Sequence, residues 1–347
     1  MKKYDFLWLF FIGVFFLSCE RRPLVNPEEA AVLKIRLRTD NIPNVTCDIY
    51  NEEVQHPVKT SDMMRVFIYN RDGSFLLSQG FLQNKTEDEH GFEVIDGAVV
   101  LSPGDYSLIG YNFDVESTFI KHESNFNSIC AYTDEIPEKV YARFGSRADG
   151  MGKVYYQPEH LLVAREPSLF MDAHLGLKTI ELDAFTVVDT YYIQIRISGG
   201  ENMAANAAAL AVLSGLSQYS FIGQGVPGGE MASVYFEMKK STDPRIDDEN
   251  QDVLCAVFNT FGRLEDVPSD LKVTFSVLTR NGEIHQKEID MSAIFETEDA
   301  LKRHWLLIDE VWELPEIQEE GTGGFAPAVD EWDDIEEEIH IGPSKRN

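Results

Sequence analysis

The chain reads as all-β: two tandem sandwich units between an N-terminal leader and an acidic tail. Three observations predict this. Apolar residues recur at every second position through most of the chain, turn-forming residues punctuate these runs, and few segments carry helical periodicity. A hydrophobic content of 44% over 347 residues provides for sizeable cores and two units of ordinary size.

The elements follow in order. In "AVLKIRLRTD", Leu33, Ile35 and Leu37 face one way and Lys34, Arg36 and Arg38 the other, as in a half-buried strand. "MMRVFIYNRDGSFLL" is a strand, an Arg71-Asp72-Gly73 turn and a second strand. "GAVVLSPGDYSLIGYN" repeats the form, with Ser102-Pro103-Gly104-Asp105 as turn chemistry. These runs place a first unit at residues 27–165. A second unit is expected at 166–316. There "TYYIQIRISG" sets Tyr191, Ile193, Ile195 and Ile197 against Tyr192, Gln194 and Arg196. "ASVYFEMKK" and "VLCAVFNTFG" continue the alternation, and Asn281-Gly282 joins a hairpin whose first strand turns Val273, Phe275 and Val277 inward. "RHWLLIDEVWEL" closes the unit ahead of Pro315, and "TEDALKRHW" predicts a short helix capped by Thr297. "NMAANAAALAVLSGL" stays open between helix, which alanine favours, and strand.

The first residues obey a different rule. Lys2 and Lys3 precede an apolar run from Phe6 to Leu17, which is too short to span a bilayer and matches a secretory signal. Its Leu17-Ser18-Cys19 ending resembles the lipobox of bacterial lipoproteins, which are cut before the cysteine and acylated on it. Residues 1–18 are therefore expected to be removed, leaving Cys19 lipidated at the head of a linker, 19–26.

Composition excludes several functions. With 30 Lys+Arg against 59 Asp+Glu, a formal charge of −29 repels nucleic acid and anionic headgroups, so attachment to a membrane falls to the lipid on Cys19. Cys47, Cys130 and Cys255 remain, an odd number without CxxC spacing, and read as small buried hydrophobes. The eight histidines form no HExxH, and neither a GxSxG elbow nor a Walker loop occurs. "DDENQD" lacks the glycine of an EF-hand. Gly223, Gly225 and Gly228 match a dinucleotide fingerprint literally, but Pro227 and the strand pattern behind it make the segment a glycine-rich loop. Nothing in these patterns points to catalysis or a cofactor.

The tail, 317–347, combines a glycine hinge at 321, 323 and 324 with "DEWDDIEEEIHI". Solvated acidic tails are common, yet Trp332, Ile335, Ile339 and Ile341 are bulky for a segment that touches nothing. They are candidate residues of a strand that pairs with a sheet edge, its own or a neighbour's.

Several stretches resemble the fimbrillin-like outer-membrane lipoproteins of Bacteroides relatives, a lipid-anchored subgroup of unknown function. They are "MMRVFIYNRDGSFL", "LSPGDYSLIGYNF", "AAALAVLSGLSQYSFIGQG", "VYFEMKK", "FNTFGR", "TRNGE", "WLLIDEVWELP" and "GGFAPAVDEWDDIEEEI". The resemblance covers almost the whole chain from Cys19. It implies two transthyretin-like β-sandwich domains, and makes the alanine-rich run a strand followed by a turn. It also implies a non-enzymatic, surface-exposed protein of adhesion or pilus assembly, whose partners are other pilus subunits or itself by strand pairing. In polymerising members a protease cuts after an arginine and removes the first strand, and a neighbour's strand fills the groove. Arg36 and Arg38 are the candidates for such a cut, although both alternate with core residues; a cut at Arg21 or Arg22 would only release the protein. The competing reading is a surface glycan-binding lipoprotein of a nutrient-uptake system, using Trp305, Trp312, Trp332, Phe261 or Tyr111.

Overall fold

A computed structural model of the chain describes residues 30–39, 50–54, 61–112, 115–141, 153–173, 176–204, 209–246, 251–264 and 271–317. Within them the protein is an all-β sandwich structure. Strands are numbered along the chain. β1 (Ala31–Arg38), β4 (Asn84–Glu87), β5 (Glu93–Leu101) and β11 (Leu177–Asp183) make one sheet, in the order β11-β1-β5-β4. β2 (Met64–Asn70), β3 (Leu76–Leu82), β6 (Gly104–Asn112), β10 (Leu162–Met171) and β12 (Phe185–Thr186) make the facing sheet, in the order β12-β10-β6-β2-β3. Leu33, Ile35 and Leu37, each 0% exposed, pack between the layers with Val66, Ile68 and Leu108. The period-two pattern of the first strand thus does what it predicts.

Two similar turns serve different ends. Asn70 accepts the Gly73 N–H at 2.9 Å, and Gly73 takes φ 71°, so the chain reverses at once from β2 into β3. The Ser102-Pro103-Gly104 corner instead carries the chain from β5 in one sheet to β6 in the other.

The second network holds β13 (Asp189–Ser198), β14 (Ala209–Phe221), β15 (Val226–Ser241), β16 (Asp252–Thr260), β17 (Lys272–Leu278), β18 (Ile284–Asp290) and β19 (Trp305–Glu313). Their order is β18-β17-β14-β15-β16-β13-β19. The long β15 pairs first with β14 and, at its end, with β16, so it bends from one layer to the next. One core gathers Ile193, Ile195, Leu213, Phe236, Phe258 and Phe275 from five of these strands. The alanine-rich run is strand β14, because both its faces are covered. Ala209, Ala211 and Leu213 enter that core, while Leu210 and Val212 meet Ile136 and Val154 behind it. Packing on two sides outweighs alanine's modest helical preference. The turn expected after this strand is a bulge instead: pairing shifts between Leu213 and Leu216, Gly215 adopts φ 82°, and the strand runs on to Phe221.

The two units share one plan. β1 lies between antiparallel β5 and parallel β11, as β13 lies between antiparallel β16 and parallel β19. β10, β11 and β12 pair with β6, β1 and β10, so the first two sheets take in strands as far along the chain as Thr186. The units also interlock. β7 (Phe119–Lys121) and β8 (Cys130–Tyr132) extend the second network at β14, and β9 (Val154–Tyr155) pairs with β15. A further core of Phe67, Ile109 and Tyr111 with Ile129, Ile222 and Phe261 fills the junction. The helix Glu298–Arg303 is capped as expected, Thr297 Oγ1 accepting the Ala300 N–H at 3.2 Å.

Candidate functional site

β1 is the first candidate, since the expected cut and strand exchange would act there. Both its backbone edges are occupied, by β5 and β11. Its outward face is a ladder of charge pairs. Arg36 faces Glu181 across the sheet and pairs with it. Arg38 reaches Asp183 at 3.3 Å and Asp88 at 3.5 Å, with its guanidinium 5.5 Å from the Phe92 ring centre. Lys34 sits 3.5 Å from Asp96. Such half-exposed pairs contribute little stability each, but they give both arginines a partner in the folded strand. Removing β1 would unpair two strand edges and vacate the places of Leu33, Ile35 and Leu37, which is a groove shaped for another strand. Cys19 and the tail residues Trp332, Ile335, Ile339 and Ile341 lie outside the described residues, as does Cys47.

Beyond β1, residues 50–54 are clasped to the second unit. The Tyr50 hydroxyl donates to Asp243 Oδ1 at 2.5 Å, and Asn51 Nδ2 donates to Ser241 Oγ at 2.9 Å. Gln194 also donates to Asp243, and Arg245 Nη2 lies 2.9 Å from its Oδ2. The Tyr50 ring sits 5.0 Å from Tyr192 and 5.1 Å from Trp305. Burial pushes the Asp243 carboxyl up, but hydrogen bonds from Arg245 and Tyr50 outweigh it and hold the pKa at about 2. Desolvation, then Asp243 itself, raises the Tyr50 hydroxyl. Sequence reading missed this cluster, because its members are scattered from Tyr50 to Arg245.

At the junction of the units lies a cleft of about 370 Å³. Phe185 and Thr186 of β12, Phe261, Val226 and Pro227 supply much of its wall. Its charged members are Arg165, Arg263 and Asp189. Burial raises the Asp189 carboxyl's pKa, against the pull of His304 and Arg263. Arg263 is engaged with Glu296 at 3.1 Å and lies over Phe295. Arg165 differs. Among the described arginines, Arg36, Arg38, Arg65, Arg71, Arg196, Arg245, Arg263 and Arg303 each have a carboxylate partner. Arg280 donates to the Glu201 carbonyl. Arg165 alone among them has neither, and it lies across Gly225, where a Cβ would collide with its guanidinium. Of the glycine-rich segment, Gly223 to Gly225 lie in the turn that joins β14 to β15, while Val226, Pro227 and Gly228 already belong to β15; a Cβ on Gly223 would strike the Phe126 carbonyl. "GQGVPGG" was the available signal for this cleft.

The aromatic candidates do not form an open platform. Tyr111, Trp312 and Phe261 are buried, and Trp305 is covered by Tyr50 and Arg303. Cys130 and Cys255 are buried, and neither is in a disulfide among the described residues. Among the described residues no cluster of His, Cys, Asp and Glu is arranged to hold a metal, and no helix is long and apolar enough to cross a membrane.

Comparison with known proteins agrees with this architecture. A Bacteroides ovatus protein (strain ATCC 8483) named "Putative fimbrium anchoring subunit Fim4B" is 23% identical over 238 residues, 69% of this chain. The chain covers 61% of the length of that curated relative. The crystal structure of a "putative adhesin" from Bacteroides ovatus ATCC 8483 superposes with a TM-score of 0.58 at 19% identity, covering 87% of this chain and 98% of that one. At that identity the likeness is one of fold. Residues 18–237 match a family model, well over half of the chain, and the chain accordingly belongs to the family described as Domain of unknown function (DUF5119).

Proposed function

We propose that the chain is a non-enzymatic fimbrial subunit of the anchoring type, held at the outer membrane by lipid on Cys19 and exposed at the cell surface. The observation that carries this reading is β1 in place, with both edges paired and Arg36 and Arg38 engaged by carboxylates. A subunit that keeps its first strand offers no groove, so it ends a series of strand exchanges instead of continuing it. The relative named for fimbrium anchoring supports the same role. The tail then acts as donor: Trp332, Ile335, Ile339 and Ile341 fill alternate pockets of a neighbouring subunit. The glycan-binding reading has less support, since the aromatics that would serve it are largely buried or covered.

The test is Cys19→Ala in the native host. Fatty-acid labelling should disappear, the protein should leave the outer-membrane fraction, and fimbriae should be shed into the medium. A variant that still takes up palmitate and stays with the membrane overturns the tether. Fimbriae retained on cells that lack the protein overturn the anchoring role.

A further inference from the structure

From the cleft at the junction of the units we infer a binding site for an acidic, aromatic segment, and its occupant is residues 330–335 of the same chain. Among the described residues Arg165 is a cation without a carboxylate partner, in a chain that carries 59 carboxylates against 30 cationic residues. It is exposed and lines the same cleft as Phe185, itself 54% exposed. An arginine beside exposed aromatic surface suits a ligand with a carboxylate next to an apolar ring. The tail provides that chemistry: Trp332 is flanked by Asp330 and Glu331 on one side and by Asp333 and Asp334 on the other. A volume of 370 Å³ accepts a few side chains, at the lower end of ligand pockets of about 300–1,000 Å³. An indole with one neighbouring carboxylate fits that room; a whole strand does not.

Chain geometry permits the same molecule to supply the segment. β19 ends beside Ser198, where Leu314 N–H donates to the Ser198 carbonyl at 3.0 Å. The cleft lies at the other end of β13, at Asp189 and Tyr191. A ten-residue strand spans about 33 Å. Trp332 is fifteen residues beyond Ile317, enough for about 50 Å of extended chain. Among the described residues β12 is also an edge strand, so its outer backbone groups are open to a short pairing. Seated there, the tail of an unassembled subunit is shielded from indiscriminate pairing. This rests on the tail being an interaction segment, and adds where it is kept.

Hydrogen exchange on the full chain after residue 18, carrying Cys19→Ala so that no lipid is present, tests the seat. Amides around Trp332 should exchange at least about ten-fold more slowly than in a free peptide, independently of protein concentration. Arg165→Glu should return them to the free rate while the two units keep their protection, since Arg165 has no carboxylate partner to lose among the described residues. Phe185→Ala should weaken the protection in the same way. Free exchange in the wild type overturns the proposal. Protection that survives Arg165→Glu overturns the seat but leaves strand donation standing, because the tail is then paired elsewhere. Protection that grows with protein concentration assigns the segment to a second copy and overturns the same-chain assignment.

Discussion

Asp243 is a side chain whose contribution depends on its charge. It accepts from Tyr50, Gln194 and Arg245 at once, and so fastens the segment after β1 to the second unit. Its pKa of about 2 lies below the value of about 3.9 expected in an unfolded chain. The stability it confers is therefore fully present above about pH 4 and is lost as pH falls from there towards 2. Asp243→Asn keeps the shape but removes the charge, and should cost about 1.5–3 kcal/mol at neutral pH. Denaturant titration at pH 7 and pH 3 checks this: the gap between the variant and the wild type should shrink at the lower pH. An equal gap at both would mean that packing of the Tyr50 ring, and not the carboxylate, holds the segment.

At the scale of elements, β1 governs access to the expected cut sites. Cleavage after Arg36 or Arg38 needs that strand out of its sheet, where β5 and β11 now hold both edges. Ile35 is 0% exposed, and Ile35→Ala should weaken docking of the strand by about 2–4 kcal/mol. If cutting follows the population of the undocked state, an arginine-specific protease should cut the variant within β1 at least about ten-fold faster than the wild type. Equal rates would mean that the strand is accessible as it stands. β1 was also legible in the sequence. Leu33, Ile35 and Leu37 announced the inner face, and the same logic found Ile193 to Ile197 and Val273 to Val277. Sheet membership was not legible, because alternation specifies a face and not a neighbour: β5 and β6 separate at a corner that looks like a hairpin, and β7 to β9 pair far from their own unit. Arg165 was equally invisible, since an unpaired cation is defined by its surroundings. Only the glycines at 223 and 225 hinted that something must approach the backbone there.

Taken whole, the molecule is less divided than two tandem units suggest. β8 and β9 lie within the first half of the chain yet pair with β14 and β15, and the core at the junction takes Phe67, Ile109 and Tyr111 from one side and Ile222 and Phe261 from the other. Burying several such side chains, each contributing about 1.5–3 kcal/mol, couples the two sandwiches strongly enough that one should not persist without the other. Unfolding should then be a single transition. The placement of tryptophan makes the test direct. Trp305 and Trp312 belong to β19 in the second unit, and among the described residues the first unit has none. Leu108, 0% exposed, belongs to the first unit's core, far in sequence from either indole. Leu108→Ala should cost about 2–5 kcal/mol and lower the tryptophan-fluorescence midpoint as much as the circular-dichroism midpoint. Were the units independent, fluorescence would melt at the wild-type temperature while circular dichroism split into two steps. A coupled melt would also suit a subunit that passes load from a fimbrium to a membrane, because tension on one sandwich would then be borne by both.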